Sequence, residues 1–182
     1  MFSLLIVLGI VVFLAILVVG IYNRLVGLRQ NVHQGVADID AQLRQRHDLI
    51  PNLVSTVKGY ASHEQDTLEA VIQARNTAAK GSTNSASESQ LRVALDNLLA
   101  LGEAYPELKA NVNFQSLQNE LSDVENKLAA ARRALNAAVS RFNTARESFP
   151  AVLFAGALGF SQADFHRLDE SEKGTVDQVP DV

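Results

Sequence analysis

The residues best suited to catalysis or metal binding are four histidines, and none has the spacing that such sites require. A zinc peptidase places two histidines and a glutamate as H-E-x-x-H, but His63-Glu64 is followed by Gln65-Asp66-Thr67. A di-iron bundle places a glutamate three residues before a histidine, and none of the four has one. These positions are therefore interpreted as surface or helix-end histidines, and no metal ligand is predicted.

Other signatures of chemistry are also missing. The sequence has no cysteine, which excludes disulfides, zinc-thiolate sites, iron–sulfur clusters and a thiol nucleophile. It contains no phosphate-binding glycine loop and no G-x-S-x-G nucleophile turn. We predict a protein that is not an enzyme, with no catalytic residue and no cofactor. The net charge of −4 also argues against a nucleic-acid partner.

The most unusual segment is RQRHDLIPNLV, at Arg44–Val54. A packed helix does not require a proline and two arginines in its middle. Asp40 and Asp48 lie four residues on either side of Arg44, so ion pairs along one face explain the charges but not the proline. The segment is therefore predicted to contact a partner. Its candidate residues are Arg44, Arg46, Asp48, Pro51 and Asn52.

The chain begins with an apolar run, Met1–Tyr22, and the first charged side chain is Arg24. At ~1.5 Å per residue this run reaches about 33 Å, enough to cross a bilayer core of ~30 Å. No lysine or arginine precedes the run, and it is longer than a signal-peptide core, which favours a retained anchor. Residues 1–23 are predicted to be a transmembrane anchor. Arg24 and Arg29 predict a cytoplasmic helical domain with the N-terminus outside.

Beyond the anchor, apolar residues recur at steps of three and four, which is typical of helices. The first stretch runs to about residue 79. Pro51, and a capping-box pattern at Ser62–Gln65 that would open a new helix, leave open one kinked rod or two helices. A second stretch covers about 88–104. After a break at 105–111, residues 112–149 form the most regular helix. Its heptad spacing predicts a packing face, made of Phe114, Leu117, Leu121, Val124, Leu128, Leu135, Phe142 and Phe149.

The predicted fold class is all-α, with the transmembrane helix continuing into an antiparallel up-and-down bundle of three to four long helices. The bundle is expected over residues 24–168, and residues 169–182 are expected to be a polar, disordered tail. Ala129, Ala130, Ala134 and Ala137 give the long helix a second face of small residues.

A short apolar segment, AVLFAGALGF at Ala151–Phe160, follows the long helix and is too short to span a bilayer. It either tucks against the bundle or forms a patch that dips into lipid or meets a partner. A chain reversal at 105–111 would put it far from the membrane, and a continuing chain would return it there. The candidate patch residues are Val152, Leu153, Phe154, Leu158 and Phe160.

Several of these segments, in this order, resemble the LemA family. The specific ones are Asp48–Val54 (DLIPNLV), Tyr105-Pro106, Phe142-Asn143, Phe149-Pro150 and Gly159-Phe160. The resemblance implies a bacterial single-span membrane protein with a helical domain and no catalytic or ligand residues to transfer. It also implies varied settings, including magnetosome membranes in one lineage.

Two positions depart from the pattern of that family. Gly35 stands where alanine is common, and Leu135 stands where tyrosine is common. Both predict altered packing at one level of the bundle.

Two functions fit these observations. The first is a non-enzymatic, membrane-anchored scaffold that self-associates as a homo-oligomer through its bundle. The second is an adaptor or regulator of another membrane protein, such as a membrane protease or an envelope-stress component. The uninterrupted packing face favours the first function, and the Arg44–Val54 segment favours the second.

Overall fold

The computed structural model describes residues 2–80 and 85–165, and the described residues form helices and turns without a strand. The helices are α1 (Phe2–Lys58), α2 (Gln65–Lys80), α3 (Ser85–Ala104), α4 (Pro106–Lys109) and α5 (Val112–Glu147). A single 3₁₀ turn, Ala151–Leu153, follows α5. The all-α prediction is confirmed. The predicted tail, 169–182, lies outside the described residues.

Helix α1 is one continuous element that passes through Pro51. Of the two alternatives, a kinked rod or two helices, the second is confirmed: the break comes at 59–64, after the proline, and α2 begins at Gln65. The first part of α1 is long and apolar enough to cross a membrane, and none of that stretch is buried within the protein. The same helix then supplies core residues farther along, such as Ile50 and Leu53.

The chain divides into two compact units, which we name the anchor unit (Met1–Ala37 with Ala131–His166) and the bundle unit (Asp38–Ala130). The bundle unit has a core to which all five helices contribute. Its fully buried side chains include Leu53, Val71, Leu91, Leu98 and Leu108. Apolar faces at helical spacing meet here, which is why these segments fold as helices around one core.

Helix directions within the bundle unit follow from individual contacts. Helix α2 folds back along α1, because Arg75 reaches His47. Helix α3 runs beside α1 in the same direction, with Glu88 near Arg46 and Tyr105 bonded to Glu64.

Helix α5 then reverses again. Asn111 precedes this helix and donates to the Tyr60 hydroxyl at 2.8 Å. Glu125, farther along α5, pairs with Arg46. The chain therefore turns back at 59–64 as well as at 105–111.

In the anchor unit, the end of α5 and the apolar segment pack on α1. The cluster contains Leu25, Phe142, Ala151, Ala155 and Phe160, all buried. The apolar segment thus lies beside the start of α1 although the chain reverses at 105–111. The extra reversal at 59–64 accounts for this outcome, because it changes the direction in which every later helix runs.

The two departures from the family pattern meet in the anchor unit. A Cβ added to Gly35 would lie 3.1 Å from the Cα and Cβ atoms of Leu135. Such a distance is tighter than most real contacts, so a larger residue would require α5 to move by a few tenths of an ångström, and glycine favours the close approach of α1 and α5 at that level.

Candidate functional site

The candidate interaction segment lies on α1, and its five residues divide between the interior and the surface. Arg46 is only 3% exposed, so burial removes it from any partner-binding surface. Arg44, Asp48, Pro51 and Asn52 are exposed. Within the described chain, no ion pair joins Arg44 to Asp40 or Asp48.

Arg46 is instead the centre of a buried polar group, which we name the Arg46 cluster (Arg46, His47, Glu88 and Glu125). The Nη2 of Arg46 donates to Oε2 of Glu88, and its Nη1 donates to Oε2 of Glu125 at 3.1 Å. His47 Nε2 lies 3.1 Å from the other Glu88 oxygen, Oε1. The cluster therefore connects α1, α3 and α5 through one arginine. Buried pairs of this kind contribute less to net stability than to fixing which helix faces meet.

The environment of Glu88 sets its pKa. Burial alone would raise the pKa, because it penalises the charged form. The hydrogen bond from His47 and the charge of Arg46 act in the opposite direction and together outweigh burial, so the pKa of Glu88 lies below its ordinary value of 4.5. Glu88 is consequently a carboxylate at neutral pH, and it acts as the acceptor of the cluster.

Pro51 has a structural explanation that the sequence did not supply. Proline has no backbone N–H, so the carbonyl of His47, four residues earlier, lacks its helical donor. Arg75 of α2 supplies that donor, with its Nε 3.2 Å from the His47 oxygen. The proline thus frees a carbonyl inside a continuous helix, and α2 docks on it.

A groove of about 430 Å³ runs between α1 and α2 beside this contact. Pro51 and Ile72 contribute exposed apolar surface to it, and Ile72 is 44% exposed. Lys58 and Asn76 supply polar groups at its edge. Of the five candidate residues, Pro51 lines this groove.

A second cavity, of about 280 Å³, lies next to the Arg46 cluster. Arg46, Arg92, Asp96 and Glu125 give it side chains of both charges. The Nε of Arg46 is buried there without a hydrogen-bond partner. No group of three or more His, Cys, Asp or Glu side chains in the described residues is placed to hold a metal ion.

The predicted packing face of α5 is used largely within the chain. Leu117 is half-buried and Phe149 is exposed. The buried members are Phe114, Leu121, Val124, Leu128, Leu135 and Phe142. Phe149 is 81% exposed because α5 ends at Glu147, so the helical spacing no longer directs this side chain inward.

The residues of the candidate lipid or partner patch also differ in their exposure to solvent. Phe160 is 2% exposed and packs inside the anchor unit, which removes it from the patch. Phe154 and Leu158 are half-buried. Val152 and Leu153 are exposed, at 51% and 64%. The segment therefore tucks against α1 on one side and presents apolar side chains on the other.

Sequence reasoning missed Glu88 and Arg75, which complete the polar contacts of the Arg46–Pro51 region. They lie 42 and 28 residues from their partners, Arg46 and His47, so no local spacing connects them. The signal that existed was indirect: a proline in mid-helix requires a substitute donor for the carbonyl four residues earlier.

Comparison with known proteins places the chain among relatives. A protein named LemA from Metamycoplasma hominis is 25% identical, over 87% of this chain and 74% of the relative. Magnetosome protein MamQ 2 from Paramagnetospirillum magneticum and Magnetosome protein MamQ from Magnetospirillum gryphiswaldense are each 22% identical, over 87% of this chain and 69% of each relative. The family model of the LemA family matches residues 35–182, most of the chain. The chain therefore belongs to the LemA family.

Proposed function

We propose that this membrane-associated protein is a non-enzymatic scaffold that is anchored by the start of α1 and self-associates. The observation that carries the proposal is the continuity of α1, a single helix from the exposed apolar start to the bundle core. Such a helix runs along the chain from an apolar stretch that suits a bilayer into the folded domain. An anchor also concentrates copies in two dimensions, which favours weak contacts between them.

The polar interior supports a structural role. The charged groups of the Arg46 cluster bond to one another and join three helices. The names of the relatives are not those of enzymes.

Self-association needs a surface other than the predicted packing face, since six of its eight residues are buried within the chain. The second face of α5 is open, and Ala129, Ala130, Ala134 and Ala137 are all exposed there. Small side chains permit a second helix to approach closely.

Photo-crosslinking in cells tests self-association at this face. A photoreactive residue at Ala134 is expected to yield a product of twice the chain mass that contains only this protein. The matched control is the same residue at Asn97, an exposed position on α3, where a much weaker product is expected. Equal yields at both positions, or none at Ala134, would contradict a scaffold that uses α5.

The alternative is an adaptor for another membrane protein, and the groove at Pro51 favours it. The groove combines exposed apolar surface from Pro51 and Ile72 with polar groups at its edge, as partner-binding surfaces commonly do.

A photoreactive residue at Asn52 separates the two functions. Asn52 is exposed and adjacent to Pro51. A heterologous adduct that disappears when Ile72 is changed to Glu supports an adaptor. Adducts with this chain alone support the scaffold.

A further inference from the structure

The segment Phe149–Phe160 has no polar side chain, and one side of it is uncovered. Phe149, Val152 and Leu153 are 81%, 51% and 64% exposed. Three large apolar side chains so close together are costly to leave in water, and such patches mark sites that meet lipid or protein.

The other side of the segment holds it at the end of the apolar run. The ring of Phe160 lies 5.6 Å from the ring of Tyr22 in an edge-to-face arrangement. Arg29 stacks over the same ring at 5.1 Å, and Arg146 donates to the Phe160 carbonyl at 2.9 Å. Asn143 forms two hydrogen bonds with the backbone of Ala163, which fixes the chain just beyond. Tyr22 is the last residue of the apolar run, so the segment lies where a bilayer surface would be.

The backbone of the segment already satisfies many of its own polar groups. The amides of residues 152–155 and 158–160 donate to carbonyls of the same stretch or of Ser148. A backbone with internal hydrogen bonds is far less costly to transfer from water to the headgroup region than an open loop.

The charge around the segment distinguishes lipid from a protein partner. The described part of the anchor unit contains six arginines, no lysine and two carboxylates: Arg24, Arg29, Arg132, Arg133, Arg141 and Arg146 against Glu147 and Asp164. Residues 38–130 contain eight basic and thirteen acidic side chains, so a chain that is acidic overall is basic only at this unit. Guanidinium groups bind phosphate oxygens in pairs, and basic clusters beside a span attract anionic lipid.

We propose that Phe149–Phe160 is a second membrane contact. Phe149, Val152 and Leu153 enter the interface of the bilayer that α1 spans, and exposed arginines near this level, such as Arg24 and Arg141, bind anionic lipid headgroups. The contact fixes the orientation of the anchor unit against the membrane, which a single span alone does not do. This inference rests on the membrane anchoring of the proposed function.

Fluorescence quenching in vesicles tests the proposal with the full chain. The protein has no tryptophan, so Leu153→Trp introduces a sole tryptophan, which is excited at wavelengths where the three tyrosines absorb little. We expect its emission to be quenched by lipids brominated near the headgroup, and more strongly when phosphatidylglycerol is added to phosphatidylcholine. Val93→Trp is the matched control, because Val93 is similarly exposed, at 56%, but lies in the bundle unit. It should remain unquenched.

A charge variant tests the role of the arginines. Arg141 is exposed, and Arg141→Glu should lower the inserted fraction by about fivefold or more in anionic vesicles, since one basic residue near the surface favours association by roughly that factor. Circular dichroism of each variant checks that it has folded.

The vesicle experiments distinguish a failure of the membrane anchor from a failure of the second membrane contact. Flotation with the vesicles reports anchoring by α1, and a protein that fails to float contradicts the proposed function rather than this inference. In floating protein, an unquenched Leu153→Trp would overturn the second contact. A blue shift that appears only at high protein density would also overturn it, because another copy would then cover the patch. Equal quenching in both lipids would overturn the preference for anionic headgroups.

Discussion

Glu88 joins two residues of the Arg46 cluster, because one of its oxygens contacts Arg46 and the other contacts His47. Changing Glu88 to Gln removes the charge that balances Arg46, while Glu125 remains. We expect a loss of about 3 kcal/mol in unfolding free energy at neutral pH, near the lower end for breaking a buried ion pair. Urea unfolding in mild detergent measures it. Glu103→Gln is the control, since the Glu103–Lys109 pair is exposed and contributes less than about 1 kcal/mol.

The lowered pKa of Glu88 also predicts a pH dependence. A carboxyl whose pKa is lower in the folded state contributes stability that is present above its ordinary value of 4.5. That contribution is lost as the pH falls through the lowered, folded value. Wild-type protein should therefore lose more unfolding free energy between pH 7 and pH 3 than Glu88→Gln does. Equal losses in both proteins would contradict the role assigned to this carboxylate.

Gly35 gives a second prediction at this scale. Gly35→Ala should destabilise the protein by about 1–3 kcal/mol, because the backbone of α5 at Leu135 must move away. Gly27→Ala is a matched control in the same helix, with nothing within 4 Å of the added Cβ. It should stabilise by up to about 1 kcal/mol through helix propensity. Thermal unfolding measures the stability of both variants. If Gly35→Ala were as stable as the wild type, α1 and α5 would have to be farther apart at this level than the structure shows.

The burial of individual side chains could be predicted from the sequence only in part. Helical spacing identified Leu121, Val124 and Phe142 as buried, because apolar periodicity reports directly which face is inward. It failed for Arg46, whose charge favoured a surface position until its partner was known. A buried charge is stable only with partners distant in sequence, and periodicity carries no information about those.

At the scale of elements, the Pro51 contact explains how α2 docks on α1. The prediction is a coupling between two substitutions. Arg75→Met should cost about 1–3 kcal/mol in the wild-type background, because the His47 carbonyl then has no donor. In a Pro51→Ala background the alanine N–H supplies that donor, so the cost should fall by about 1 kcal/mol or more. Arg44→Met is the control and should show no coupling. Additive costs for Arg75 and Pro51 would contradict the contact.

A further prediction concerns the attachment of the apolar segment. Asn143 accepts from the Ala163 amide at 3.0 Å and donates to its carbonyl at 2.8 Å. Asn143→Ala should therefore speed hydrogen exchange at the Ala163 amide by about tenfold, the equivalent of one hydrogen bond. Asn97→Ala, at an exposed position of α3, should leave that exchange rate unchanged. If hydrogen exchange at the Ala163 amide were equally slow in both variants, the two hydrogen bonds from Asn143 would not hold this part of the chain in place.

Most elements could be predicted because their apolar spacing is local. The all-α class, the long final helix and the break at 105–111 followed from residues within a few turns of one another. The continuity of α1 did not, because proline disfavours a helix interior unless a donor comes from elsewhere, here from Arg75. A new helix opening near Ser62–Gln65 was one of the two alternatives, and α2 does begin at Gln65. Its reversed direction could not be predicted, because it depends on contacts distant in sequence, such as Arg75 with His47.

At the scale of the whole molecule, exposed apolar surface and basic charge are concentrated in the anchor unit, as expected for the part that meets a membrane. The apolar start of α1 is exposed, the anchor unit is rich in arginine, and the acidic side chains lie mainly in residues 38–130 and beyond. The sequence predicted the anchor from length and hydropathy alone. It could not place the Ala151–Phe160 segment beside that anchor, since the placement depends on every earlier chain reversal. The direction of insertion stays a prediction from Arg24 and Arg29.

The measurement that tests the central claim most directly is the molar mass of the intact protein in mild detergent, by light scattering across a range of concentrations. A self-associating scaffold predicts a defined multiple of the chain mass that persists on dilution. The same measurement on Ala134→Glu should give a smaller species, because a charge on the exposed face of α5 disfavours close helix approach. A monomer at every concentration would contradict the scaffold and direct attention to a partner at the Pro51 groove.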